Sequence, residues 1–178
     1  MKKLLIAILI FSLFSSCYGS DTIKVLNDKG IKIIEDQSFW TTFENWGKAR
    51  FLSCEYKDGV IKLLLYLADE KDNILYAFPD FYGNDWCFYE VRAVSFKDVN
   101  KDGLKDVVII ADYVTGIGNE GAIPFPVCGI YFQKGKKFVD LPELNEEIND
   151  EMQNKDIAMV MNFTDKKVKK INKLLEKK

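Results

Sequence analysis

Short apolar runs broken by polar turns fill most of the chain, and helical spacing takes over near its end. Residues 22–26 and 31–34 are β-rich runs, parted by the turn-forming stretch 27–30. Residues 50–56 and 60–68 flank Lys57-Asp58-Gly59, which predicts a β-hairpin. Residues 73–78 follow the polar turn 69–72 and predict an antiparallel neighbour. Residues 87–96 alternate as a strand does, and 107–113 form a continuous apolar run. A further hairpin is predicted from residues 127–133 and 137–139 around Lys134-Gly135-Lys136.

The end of the chain follows a different period. Ile157, Val160, Met161, Val168, Ile171 and Leu175 recur at helical spacing with lysine on the opposite face. A shorter helix is predicted at 143–148, starting after Pro142. No Pro- or Ser-rich linker divides the chain and no repeat is visible. The expectation is one α+β domain over residues 20–178, a largely antiparallel sheet with a C-terminal amphipathic helix.

The first residues change the picture of where this domain works. Lys2 and Lys3 precede an apolar run over 4–14, broken only by Ser12, and small residues follow at Ser15 and Ser16. That order is the layout of a secretory signal over residues 1–19, with an apolar stretch too short to span a bilayer. Phe14-Ser15-Ser16-Cys17 resembles the lipobox of bacterial lipoproteins, although that motif usually has Leu where Phe14 stands. The resemblance implies that Cys17 becomes the lipid anchor and holds the domain to a membrane. A cut after Gly19 would instead release a soluble periplasmic or secreted protein.

Composition supports a folded body. The chain is 48% hydrophobic and 13% aromatic, values that predict a globular core rather than disorder. Charge is unevenly placed. Residues 166–178 carry seven lysines against one glutamate, which leaves residues 20–165 at −10 once Lys2 and Lys3 are set aside. An acidic body argues against nucleic acid as a partner. The basic tail fits the solvated face of a terminal helix or a contact with an anionic lipid surface.

Three cysteines follow the signal: Cys54, Cys87 and Cys128. Export permits disulfides, and an odd count predicts one bridge and one buried thiol. No CxxC spacing exists and the chain has no histidine, so Ser-His, Cys-His and His-metal chemistry are excluded. The three cysteines lie in apolar, strand-like stretches, poor settings for a reactive thiolate. A pair of carboxylates acting on a glycoside is the remaining enzymatic option, so a non-catalytic role is expected.

The sharpest chemical signal is Asp98-Val99-Asn100-Lys101-Asp102-Gly103-Leu104-Lys105-Asp106. Ca²⁺ takes six to eight oxygens, and oxygen side chains at loop positions 1, 3, 5 and 9 can wrap one point. Asp98, Asn100, Asp102 and Asp106 hold those positions, Gly103 permits the sharp turn, and the Leu104 carbonyl can face inward. An EF-hand would place glutamate at position 12, where this chain has Ile109. The loop therefore resembles the DxDxDGxxD loops of FG-GAP repeats, which lead into β-structure. The resemblance covers some fifteen residues and occurs once, so it implies an ion site and not a propeller. The alternative is an Asp- and Gly-rich turn that binds no ion.

Two other stretches invite a ligand. Gly116-Ile117-Gly118-Asn119-Glu120-Gly121 matches GxGxxG, but Pro124 and Pro126 follow where a helix would have to start. No nucleotide partner is expected. Phe81, Tyr82 and Trp86 lie in a dense aromatic stretch that either packs a core or stacks on a glycan or protein partner. Two functions compete on this reading. One is a calcium-stabilised binding domain at the cell envelope. The other is an inhibitor or immunity-type protein that blocks a secreted enzyme such as a cell-wall hydrolase.

Overall fold

The computed structural model describes residues 22–116, 123–152 and 156–178, except for the side chains of 151 and 152. Helix α1 (Ile23–Asp28) leads into β1 (Ile31–Ile33) and a short 3₁₀ turn at Glu35–Gln37. Strands β2 (Phe39–Phe43), β3 (Gly47–Asp58), β4 (Val60–Ala68) and β5 (Ile74–Ala77) follow. Then come β6 (Cys87–Lys97), β7 (Asp106–Val114), β8 (Phe125–Gln133) and β9 (Phe138–Asp140). The chain ends in α2 (Pro142–Met152), α3 (Ile157–Asp165) and α4 (Val168–Leu175).

The α+β expectation holds, with the strands divided between two antiparallel sheets. One has the order β1-β3-β4-β5 with β2 also on β3, and the other has β6-β7-β8-β9. Alternation places the residues. Phe51, Leu63, Leu65 and Leu67 of the first sheet meet Val107, Ile109, Tyr113 and Tyr131 of the second in the central core. The other face of β7 and β8 presents Val108, Ile110, Cys128, Ile130 and Phe132 to Leu144, Ile148, Val160, Ile171 and Leu175 of the three C-terminal helices. Strand β7 is thus buried on both faces, which is why it reads as an unbroken apolar run.

The long β3–β4 hairpin is turned by Gly59 at φ +76°, and its outer face (Leu52, Cys54, Ala68) packs under Leu26 of α1. Residues 22–26 were expected as a strand, and here the structure differs. Ile23 and Leu26, three apart, turn to the same outer face as one helical turn, so burial overrides their β-propensity. The C-terminal helix is two helices. The chain leaves helical dihedrals at Lys167 (φ −118°, ψ 6°), whose ammonium lies 4.4 Å from the Phe163 ring centroid and pairs with Glu147.

The expected disulfide is absent among the described residues. Cys54, Cys87 and Cys128 are free thiols, with Cys54 under α1 and Cys128 under the C-terminal helices, on opposite outer faces of the sandwich. Burial pushes the Cys54 thiol up to about 12, with smaller opposing effects of Arg50 and Glu35, and pushes Cys128 up as well.

Asparagines finish the strand edges. Asn84 accepts the Leu63 N–H (3.0 Å) and donates to the Leu63 carbonyl (2.8 Å), standing in for a missing neighbour of β4. Asn149 does the same at Cys128 of β8 (2.8 and 2.9 Å), and Asn145 accepts the Ile130 N–H (3.2 Å). Each clamp satisfies backbone groups that would otherwise be an open edge. All of the packing described here lies between Ile23 and Leu175, so a chain beginning at Ser20 retains it.

Candidate metal loop

The segment 98–106 joins β6 to β7, and its short acidic side chains wind it. Asp98 Oδ1 accepts the Asp102 N–H (3.1 Å) and its Oδ2 accepts the Gly103 N–H (3.0 Å). Asp102 Oδ1 then accepts the Leu104 N–H (2.9 Å). These are the local side-chain-to-backbone closures that aspartate makes in turns. Two residues take left-handed backbone, Lys101 at φ 62° and Gly103 at φ 87°. Glycine does so without strain; at Lys101 the conformation costs about 1 kcal/mol.

Asn100 goes beyond turn chemistry. It is 2% exposed, and its Nδ2 donates to Asp102 Oδ2 (3.0 Å) and to Asn172 Oδ1 (2.9 Å). Its Oδ1 is buried and has no hydrogen-bond partner among the described residues. A buried carbonyl left unpaired costs about 1–3 kcal/mol, and a cation held by the loop would give it one. The donor set is all oxygen, as Ca²⁺ prefers.

The loop is not a ready-made cage. Among the described residues no three acidic or cysteine side chains converge as a metal cluster. The Asp98 and Asp102 carboxylates already receive loop N–H groups, but each carboxylate has further lone pairs, so these bonds and an ion are compatible. A cation would draw the side chains together from an arrangement that is already curled.

Asp106 has a second duty that the sequence did not reveal. Fully buried, it accepts the Val99 N–H on Oδ2 and the Gln133 N–H on Oδ1, both at 2.9 Å. It ties the start of the loop to the end of β8. Burial pushes its carboxyl up to about 7; the two N–H groups act against that shift, and Asp102 and Asp98 add to it.

The loop is also a junction. The Lys105 N–H donates to Glu44 (2.9 Å) and its ammonium to the Thr42 carbonyl (2.7 Å), which reaches the first sheet. Lys101 pairs with Asp165 at the end of α3 (2.8 Å), and Asn172 Nδ2 of α4 donates to the Asn100 carbonyl (3.1 Å). Both sheets and both terminal helices therefore touch one nine-residue loop. Asn172, Gln133 and Glu44 were not singled out from the sequence. Only Asn172 leaves a trace there, as a polar residue inside the apolar stripe Val168–Ile171–Leu175.

The remaining candidates are not brought together. Phe81 is in the central core, stacked on Tyr113 at 6.0 Å and pressed against Gly129, where an added Cβ would lie 2.6 Å from its ring. Tyr82 is partly buried, and Trp86 is 36% exposed with its ring edge-on to Phe125. A three-ring stacking platform is thus reduced to one exposed ring. Of the GxGxxG stretch, residues 117–121 lie outside the described residues, as do Cys17 and the rest of the leader. The strands flanking that stretch, β7 and β8, are antiparallel neighbours, which is not the parallel crossover a dinucleotide site requires. Comparison with protein-family models, with curated proteins and with solved structures finds no match for this chain.

Proposed function

We propose that this protein is an exported, lipid-anchored, non-catalytic domain of the bacterial cell envelope that acts in binding, and that loop 98–106 holds one structural Ca²⁺. The buried, unpartnered Oδ1 of Asn100, a loop residue in an all-oxygen donor set, carries the reading. The loop's contacts to both sheets and to α3 and α4 say what the ion would do: hold the junction of the fold. Export and anchoring rest on residues 1–17, and the non-catalytic role rests on the absence of histidine.

Extracellular calcium modules bind with Kd of about 10⁻⁴ to 10⁻³ M. At about 100-fold excess over Kd, linkage contributes roughly 2.7 kcal/mol to folding. Calorimetric titration of the chain from Ser20 with CaCl₂ is expected to give one site in that range, and no site in Asp102→Ala. Wild-type heats equal to buffer dilution would overturn the reading.

The inhibitor reading draws support from the acidic face of α2. Burial raises the Tyr82 hydroxyl above its ordinary range and the charges of Glu146, Asp150 and Asp85 raise it further, so this ring has acidic neighbours suited to a basic enzyme. Retention of one basic cell-wall hydrolase from envelope extract by the immobilised domain would favour it; retention of glycan alone would favour the binding domain.

A further inference from the structure

A basic surface forms where two distant segments meet. The Lys134 ammonium donates to the Leu175 carbonyl at the end of α4 (2.8 Å), which sets the β8–β9 turn against the last helical turn. Within three residues of that contact lie Lys136 and Lys137 on one side and Lys173, Lys177 and Lys178 on the other, all exposed. Among the described residues none of these five is in an ion pair. Lysines at a helix C-terminus complement its dipole, but that does not explain Lys136 and Lys137 on a hairpin.

The same end of the sandwich receives the chain from the leader. Thr22 bridges to Asn73 and the Ile23 N–H donates to the Asp72 carbonyl (2.9 Å), in the turn after β4. That turn joins Lys48 at the start of β3 through Glu70. The neighbouring β2–β3 turn holds Lys105 through Glu44, and Asp106 holds Gln133, the residue before Lys134. A continuous chain of contacts thus runs from Thr22 to the basic cluster. Four residues lie between Cys17 and Thr22, five backbone steps with a reach of at most about 18 Å. Of the acids of this end, Glu70 is engaged with Lys48, Asp165 with Lys101 and Asp98 with loop N–H groups, while the exposed Glu176 offsets one of the lysines. The acidic residues Glu146 and Asp150 lie on α2, which climbs from Ile130 toward Cys128 and so away from Gln133.

We propose that this end of the sandwich docks on an anionic phospholipid surface, with Lys136, Lys137, Lys173, Lys177 and Lys178 as the contact residues. This goes beyond the calcium reading and does not depend on it. A polarised domain turns its basic pole to such a surface, and each lysine strengthens binding roughly fivefold.

The test is co-sedimentation in EDTA of the chain from Ser20 with phosphatidylcholine vesicles, with and without phosphatidylglycerol. Binding is expected only with phosphatidylglycerol and should weaken as salt rises. Lys136→Glu/Lys137→Glu and Lys173→Glu/Lys177→Glu, each checked for unchanged melting, should each weaken it at least about twentyfold. Lys32→Glu/Lys57→Glu, on the first sheet, should leave it unchanged. Three results would overturn the proposal: equal binding to neutral vesicles, no binding at all, or a control variant as damaging as the others. Abolition of binding by millimolar inorganic phosphate would also overturn it, because a single anion pocket would then explain the lysines.

Discussion

Asn100 and Asn172, 72 positions apart, exchange two hydrogen bonds: Nδ2 of Asn100 donates to Oδ1 of Asn172 at 2.9 Å, and Nδ2 of Asn172 donates to the Asn100 carbonyl at 3.1 Å. The pair joins the acidic loop to the final helix. It also settles which end of the Asn100 amide is nitrogen, because Asp102 Oδ2 accepts from the same Nδ2. The orphaned atom is therefore the oxygen, the end that a cation would seek.

Removing one side of this exchange is expected to loosen the helix without abolishing the ion response. Asn172→Ala deletes both bonds and leaves the buried Asn100 with one acceptor fewer, at a cost of about 1–3 kcal/mol. Urea unfolding measures that loss. The melting temperature of Asn172→Ala should still rise on adding calcium.

Asp106→Ala should cost more than Asp102→Ala in the absence of calcium. The first strips the acceptors from two backbone N–H groups, at Val99 and Gln133, and about 3 kcal/mol is expected. The second removes contacts that lie mostly at the exposed surface. Equal losses in EDTA would contradict the double duty given to Asp106.

Gly129→Ala tests the placement of Phe81. The added Cβ would meet the Phe81 ring at 2.6 Å inside the central core, so overpacking of about 1–3 kcal/mol is expected. A neutral substitution would mean that Phe81 is free to move outward and stack on a partner.

The α2–α4 contact predicts the acid side of the stability curve. Glu147 accepts from Lys167 and Lys170, and these bonds hold its carboxyl below the ordinary range. A depressed folded pKa means stability that is present above the unfolded value, about 4.3, and is lost as pH falls through the folded one. Glu147→Gln should therefore be less stable than wild type near neutral pH, by under about 1 kcal/mol for a surface pair. The two proteins should converge toward pH 3, and the gap should narrow in high salt. A gap that grows on acidification would contradict the pairing.

Much of the β-structure was legible because local signals agreed with burial. Residues 60–68 and the Lys57-Asp58-Gly59 turn predicted β4 and its hairpin because alternation and turn chemistry pointed the same way. Residues 22–26 misled because β-branched composition cannot foresee that Leu26 is needed as a lid over Cys54 and Leu52. The division into two sheets was hidden, because alternation says which residues share a face but not which sheet that face meets. At the loop, the oxygen spacing was readable, whereas the partnership of Asp106 with Gln133 depends on strands joined only by the fold. The asparagine clamps had a trace in sequence: Asn145 and Asn149 stand four apart beside Leu144 and Ile148 on the buried stripe of α2.

The most direct test of the central claim is thermal unfolding of the chain from Ser20 in EDTA, in calcium and in magnesium, each beside Asp102→Ala. The account predicts a melting temperature that climbs with calcium, does not move with magnesium, and is insensitive to calcium in the variant. Identical wild-type curves in EDTA and calcium would contradict it, and loop 98–106 would then be a self-satisfied acidic turn that ties the fold together without an ion.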